Sequence, residues 1–455
     1  MPFMRQKNQN NPLRRRLASL KFDTAPGVLI LLAIVLALAM LGGGSNQIGR
    51  IGTIPLRLAS LVAIVLMVFW ASAPRIRPTL VPLGVMCAAF VLIAAQLVPM
   101  PPDMWTALPG REHYADVAVI IGQADLWRPL SISPERTINA LLAILPPLAA
   151  LMIASRVTRS DQRVLVVSIL SVACLSALMG FLQAGTGSSA LALYGGSAGD
   201  ATGLFANRNH QAVFLAACVP LAGAWAANAE AGERRKRLIT ACMIATLLVA
   251  AALLTRSRAG TAGALLAVAL FAHFLKVLDW RVLLIGAVAV VSVAFGFGFA
   301  DRLAERDLGD DARVRFAPVT LEIAQDNFPA GVGFGAFDPA FRLVEPEDEL
   351  SFQYFNHAHN DIVELVIEGG AIAAILLVIA LGWLATMTWR AWQDQGGAVS
   401  RSNTYSRAAS FALLLAFLAS FVDYPFRAPL FAVMMALFAA LLAGAPRQSL
   451  SRDSD

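Results

Sequence analysis

Two of the chain's five histidines stand one residue apart. They are His357 and His359, within Phe355-Asn-His-Ala-His-Asn-Asp-Ile-Val-Glu-Leu-Val-Ile-Glu-Gly-Gly370. A neutral imidazole with a free ring nitrogen can take a proton from a hydroxyl, so His359 or His357 could act as a general base. The polar stretch runs straight into an apolar one, which predicts that the histidines precede a membrane helix. The positive end of such a helix works against imidazole protonation. Asp361 and Glu364 complement that dipole. Asn360, Glu364 and Glu368 recur at i, i+4 spacing and form a polar stripe on one face. Carboxylates inside a membrane helix are functional candidates. Two other readings stay open. A His-x-His pair offers two ligands to a metal, although a closed zinc site needs four, or the residues form an ordinary interfacial cluster.

Arginines supply the complementary chemistry. Arg256 and Arg258 lie in Leu254-Thr-Arg-Ser-Arg-Ala-Gly260, between two apolar runs. A guanidinium at membrane depth is costly unless it meets an anion or water, and its fork of donors suits phosphate oxygens. Snorkelling to the interface is the alternative. Arg313 and Arg315, in Asp310-Asp-Ala-Arg-Val-Arg-Phe316, fall on one side if the segment is extended. They then bind an anion or pair locally with Asp310 or Asp311. A third cluster, Gly203-Leu-Phe-Ala-Asn-Arg-Asn-His-Gln211, offers Asn207, Asn209 and His210 as donors for sugar hydroxyls. Capping of the following helix by Asn207 or Asn209 is the other reading.

The elements that carry these residues follow from composition. Of the 455 residues, 58% are hydrophobic and 15% charged, against about one quarter charged in a soluble domain. Mean hydropathy is +0.65. The fold class expected is an all-α integral membrane protein of about twelve transmembrane helices, at roughly 26–44, 51–72, 79–99, 134–155, 163–183, 209–228, 238–255, 259–275, 282–300, 359–389, 407–424 and 426–445. The segments between them alternate in basic content. Arg75 and Arg77, Arg156 to Arg163, Arg234 to Arg237, Lys276 and Arg281, and Arg390 to Arg407 mark inner loops, which puts both termini inside. A basic tail over 1–25, holding Arg14, Arg15 and Arg16, precedes a first helix read as retained rather than cleaved. The remaining division is helices one to nine over 26–300, a large outer loop over 301–358, helices ten to twelve over 359–445, and an inner tail over 446–455. The outer segments, about 100–133 and 301–358, are expected to hold short helices on the membrane surface. Arginines on the outer side run against the charge bias, and Arg208, Arg256, Arg258, Arg313, Arg315, Arg342 and Arg427 are such exceptions. The net charge of +6 reflects this membrane bias, and nothing points to nucleic acid. The four cysteines fall inside apolar runs and predict no disulfide.

Four stretches together resemble the O-antigen ligase and polymerase superfamily. Gly203-Leu-Phe-Ala-Asn-Arg-Asn-His210 is similar to its Gly-x-Phe-x-Asn-x-Asn-His signature, and Thr255-Arg-Ser-Arg-Ala-Gly260 to its Ser-Arg-Gly/Ala turn. Arg313 with Gly331-Val-Gly-Phe-Gly-Ala-Phe337 resembles its loop arginine and glycine-rich segment. His359-Asn360, followed after nine residues by Gly370, resembles its His-Asn-x9-Gly element. Ala317 departs from a tryptophan usual after the loop arginine, and Ala373 from the residue closing the histidine element. The resemblance covers residues 200–375 best. It implies a GT-C-like glycosyltransferase in the bacterial inner membrane, metal-independent and without a cofactor, whose working face is periplasmic. Its donor is an undecaprenyl-pyrophosphate-linked glycan, and its acceptor a glycan or lipid A-core. Membrane lipids and other polysaccharide assembly proteins are the further partners implied. Carried over, Arg258 and Arg313 bind pyrophosphate with Arg256 and Arg315 as helpers, and His359 deprotonates or orients the acceptor hydroxyl. His357, Asn360, Glu364, Asn207, Asn209 and His210 are expected to position the substrate. The alternative function is a transporter or flippase of the same lipids, for which midplane charges and repeat symmetry would be expected.

Overall fold

The computed structural model describes residues 25–45, 52–69, 77–157, 161–187, 191–194, 200–277, 281, 315–347, 355–393 and 403–444. Residues 1–24, the span expected at 282–300, Arg313 and the C-terminal tail lie outside the described residues.

Apolar runs become helices because a backbone in hydrocarbon must satisfy its own N–H and C=O groups. Helices occupy eleven of the twelve expected segments. They begin with α1 (Ala25–Gly42), α2 (Thr53–Phe69) and α3 (Leu80–Ala95). The single helix expected over 134–155 is instead two, α6 (Pro134–Ala143) and α7 (Leu145–Ala154). Pro146 and Pro147 lack N–H donors and interrupt the ladder there. Then come α8 (Gln162–Thr186), α9 (Arg208–Ala227), α10 (Arg234–Leu254) and α11 (Arg258–Phe274). The last three long helices are α14 (Asp361–Trp392), α15 (Thr404–Ala419) and α16 (Pro429–Ala443). Among the described residues, five stretches are long and apolar enough to cross a membrane: Pro134–Ala154, Gln162–Thr186, Arg208–Ala227, Ala231–Leu254 and Asp361–Trp392. Six shorter apolar helices accompany them.

α9 is the axis of the bundle. It packs against α8, α10, α11 and α15, and its Phe214, Leu215, Cys218 and Leu221 are fully buried. Small residues allow the close approaches. At Gly260 an added Cβ would run into the Cβ of Ala212, so the start of α11 lies directly on the start of α9.

Among the described residues, both of the long segments expected on the outer side contain short helices. The first holds β1 (Pro99–Met100), α4 (Pro102–Trp105), α5 (Glu112–Ile120) and β2 (Arg128–Pro129), the strands pairing antiparallel. The second holds α12 (Ala317–Asp326) and α13 (Phe337–Val344) around a cluster of Phe316, Phe337, Phe341 and Phe355. Arg111 joins them. Its Nη2 donates to Leu130 O at 2.6 Å and to Gly331 O at 3.2 Å. Ile132 N donates to Val332 O at 3.0 Å.

α14 breaks at Gly370, which has φ 60° and ψ −151°. A break strands carbonyls that would otherwise bond within the helix. The segment Gly331–Phe337 supplies the donors. Val332 N reaches Ile367 O at 2.9 Å and Gly333 N reaches Glu368 O at 3.0 Å. Gln96 Nε2 also donates to Glu368 O, at 3.0 Å. A Cβ on Gly370 would collide with the Pro329 carbonyl, so only glycine fits this crossing. The glycine-rich segment therefore braces the first turns of α14, where the histidine element sits.

Candidate active site

Three chain segments converge at one end of the bundle: the start of α9, the approach to α14, and the corner between α15 and α16. Each helix start is fixed locally. Asn207 caps α9, its side chain accepting from Asn209 N at 2.8 Å. Asn360 caps α14, accepting from Ile362 N and Val363 N at 3.1 Å. This corrects the polar stripe expected from spacing. Asn360 is extended at φ −151° and lies outside the helix, so Glu364 and Glu368 share the face with Asp361 instead.

His357 Nδ1 lies 2.7 Å from Glu364 Oε1. The other Glu364 oxygen accepts from Ala358 N at 2.9 Å. That arrangement fixes the orientation of the ring. His359 has a left-handed backbone, φ 50°, which turns its ring toward the corner. Its Nδ1 is 3.8 Å from Asp423 Oδ1, beyond a hydrogen bond. His210 Nε2 approaches the same oxygen at 3.7 Å. Each of the three imidazoles thus approaches a carboxylate.

Asp423 is the centre of the corner and was not singled out in the sequence. It is buried and accepts from Asn209 Nδ2 at 2.8 Å, Tyr424 N at 2.9 Å and Asn207 Nδ2 at 3.2 Å. Burial alone would raise its carboxyl, but the imidazoles of His210 and His359 and the Asn209 amide outweigh that and hold it well below the usual carboxylate range. The amides of Asn207 and Asn209, expected to face sugar hydroxyls, are directed at this carboxylate, and His210 is buried behind them. The signal available in the sequence was an aspartate beside an apolar run, followed by Tyr424-Pro425. The Tyr424 ring lies against all three imidazoles, with centroids 4.4 Å from His357, 5.0 Å from His359 and 5.4 Å from His210.

The arginines are placed differently. Arg256, in the Thr255–Ser257 turn, and Arg258, the first residue of α11, are both exposed, and Ser257 caps α11 by accepting from Gly260 N at 3.2 Å. Arg256 has φ 57°. Through Gly260 and Ala212 this turn abuts the first turn of α9, so it lies at the same end as the histidines. Arg315 begins the second outer helical region with its guanidinium 4.9 Å from the Phe316 ring. Arg427 is committed to carboxylates, its Nη2 2.9 Å from Glu368 and 3.2 Å from Glu364. Burial would lower its pKa, but Glu364, Glu368 and Asp361 reverse this and raise it above the ordinary arginine value. Among the described residues no group of three or more His, Cys, Asp or Glu is arranged to hold a metal ion.

A comparison with curated proteins gives no match. The matched stretch below contains the arginine turn, the glycine-rich segment and the histidine element, whereas Asn207 to His210 and the 423–427 corner fall outside it. Residues 242–378, from within α10 to past the break in α14, match the model of the O-antigen ligase family.

Proposed function

We propose that this protein is a membrane glycosyltransferase that moves an undecaprenyl-pyrophosphate-linked glycan onto an acceptor hydroxyl at the periplasmic face of the inner membrane, in surface polysaccharide synthesis. The observation that carries the reading is the juxtaposition at one end of the bundle of carboxylate-backed imidazoles and an exposed arginine turn. His359 takes the proton of the acceptor hydroxyl. The freed oxygen attacks the anomeric carbon from the side opposite the leaving group. The bond from that carbon to the pyrophosphate oxygen breaks, its electron pair leaves on the phosphate, and the configuration inverts. Arg258 and Arg256, with Arg315 and Arg313, neutralise the charge that develops there. Asp423 holds the imidazolium that forms on His359, and Asn207, Asn209 and His210 hold Asp423. His357, fixed by Glu364, lines the acceptor side.

The test is a knockout complemented with wild-type or His359→Ala protein at matched membrane levels. Surface polysaccharide and lipid-linked glycans are profiled together. Accumulation of a lipid-linked glycan with the variant supports transfer: single repeats mean a polymerase, long chains a ligase. Normal polysaccharide with the variant would sink this reading and favour transport of the same lipids.

A further inference from the structure

Arg427 has no part in the chemistry above, yet its guanidinium meets three carboxylates at once. Its Nη2 sits 2.9 Å from Glu368 Oε2 and 3.2 Å from Glu364 Oε1, its Nη1 3.4 Å from Glu368 Oε1, and its Nε 3.5 Å from Asp361 Oδ1. An outer arginine in such a protein invites a role as an anion ligand. The geometry argues against it. Three carboxylates already surround the guanidinium, and a phosphate brought to it would meet their repulsion.

What the link joins is more informative. All three carboxylates come from the first turns of α14, while Arg427 belongs to the corner before α16. Each side carries working groups. Glu364, gripped by Arg427, is the residue that fixes His357 Nδ1 at 2.7 Å and Ala358 N at 2.9 Å. The corner carries Asp423 and Tyr424, which face His359. Further bonds run across the same seam: Asp361 N donates to Ser420 O at 2.9 Å, and the Ser420 hydroxyl donates to Asp361 Oδ2 at 3.2 Å. The glycine-rich segment contributes as well, Phe337 N reaching Glu368 Oε1 at 3.4 Å.

We propose that Arg427 is a positioning residue of the transfer reaction: by clamping Glu364 and Glu368 it sets the register between α14 and the corner, and so aims His357 and His359 at one acceptor hydroxyl. The proposal rests on reading His359 as the base. Arginine suits the task because its planar fork bridges two carboxylates at once, which a lysine point charge cannot do.

Removing Arg427 alone would leave the buried Glu364 and Glu368 uncompensated, a cost large enough to unfold the region. The test therefore uses Arg427→Lys and the charge-balanced pair Arg427→Gln with Glu368→Gln, each as the full chain in lipid nanodiscs. Three quantities are read: binding of undecaprenyl pyrophosphate, turnover of lipid-linked glycan extracted from a knockout strain, and melting temperature. The expected result is unchanged binding of undecaprenyl pyrophosphate and an unchanged donor KM, with kcat lower by about 100-fold in the paired variant, the scale of a misplaced catalytic group. Arg427→Lys should recover part of that loss. The proposal is overturned if binding weakens in step with turnover, which makes Arg427 an anion ligand. It is equally overturned if kcat is unchanged, or if the loss vanishes below the variant's melting transition, which makes the link only structural. Wild-type protein that turns over no lipid-linked glycan would instead bring down the transferase reading itself.

Discussion

The histidine corner and the arginine turn lie at the same end of the bundle but are built in opposite ways. In the corner, Glu364, Glu368, Asp423 and His210 are buried, and the three carboxylates are held by His357, Arg427, Asn207 and Asn209. At the turn, Arg256 and Arg258 are exposed, on and just after a short connection between two helices. A group that must shift a proton at one atom needs a fixed orientation, and buried carboxylates and amides provide it. A group that must gather a large, mobile anion gains from reach and from solvent access, and it does not need its own geometry frozen. The corner is also acidic and the turn basic, so a pyrophosphate would be drawn to one side of the site and an uncharged hydroxyl left to the other.

The contrast can be broken by substitution, and the largest effect belongs to the corner. His359→Ala should lower kcat by about 1000-fold, as expected for loss of a general base, with undecaprenyl pyrophosphate binding retained. Equal loss of binding, measured by titration in nanodiscs, would merge the two regions into one. Arg258→Ala should reverse the pattern. A fall of about 100-fold in kcat/KM is expected from loss of a phosphate-facing charge, carried mainly by weaker donor binding and deepened by added salt. An effect on kcat alone would assign the turn to chemistry rather than capture.

Asp423→Asn tests what the burial is for. Turnover should drop by about tenfold to 100-fold because the imidazolium on His359 loses its counter-charge, and stability by about 2 kcal/mol through weakened bonds to Asn209 and Asn207. The pH dependence has a definite sign. The folded carboxyl lies below its ordinary value, so the folded state binds fewer protons than the unfolded state in acid. Its stabilisation is complete above pH about 4 and fades as the pH falls further. Thermal inactivation half-lives of wild type and variant should differ most at neutral pH and converge on acidification. A constant gap would mean that packing, not charge, is what Asp423 supplies. The smallest effect is expected at Arg208→Ala. That residue is half exposed and 3.8 Å from the exposed Asp200, and such a pair contributes less than about 1 kcal/mol. Turnover and half-life should stay at wild-type values. A large loss would show that the α9 start reaches solvent-side substrate directly.

Much of the architecture was legible because it is local. Hydropathic runs long enough for helices, and the cap offered by Asn207, are properties of neighbouring residues and are read from short windows. The span over 134–155 stands as a stretch long enough to cross a membrane, but its local division after Ala143 was missed because two prolines in an apolar run look the same to a hydropathy average as any other residue. The stripe through Asn360 failed for a related reason: spacing alone does not reveal that a residue is the cap of a helix rather than part of it. For the site, His357, His359, Glu364 and the arginine turn stood out by type and place, and the family match covers that same region.

What the sequence determined by itself is therefore where most of the described long helices run, and the clustering of imidazole, carboxylate and guanidinium near their ends. Only the tertiary structure decided which of these meet. Asp423 is 216 positions from Asn207 and Arg427 is 59 from Glu368, and no local pattern couples them. They come together because apolar helices pack side by side and place their ends at a common level. There, buried charges must find partners wherever the chain has brought them, since water cannot serve in their place.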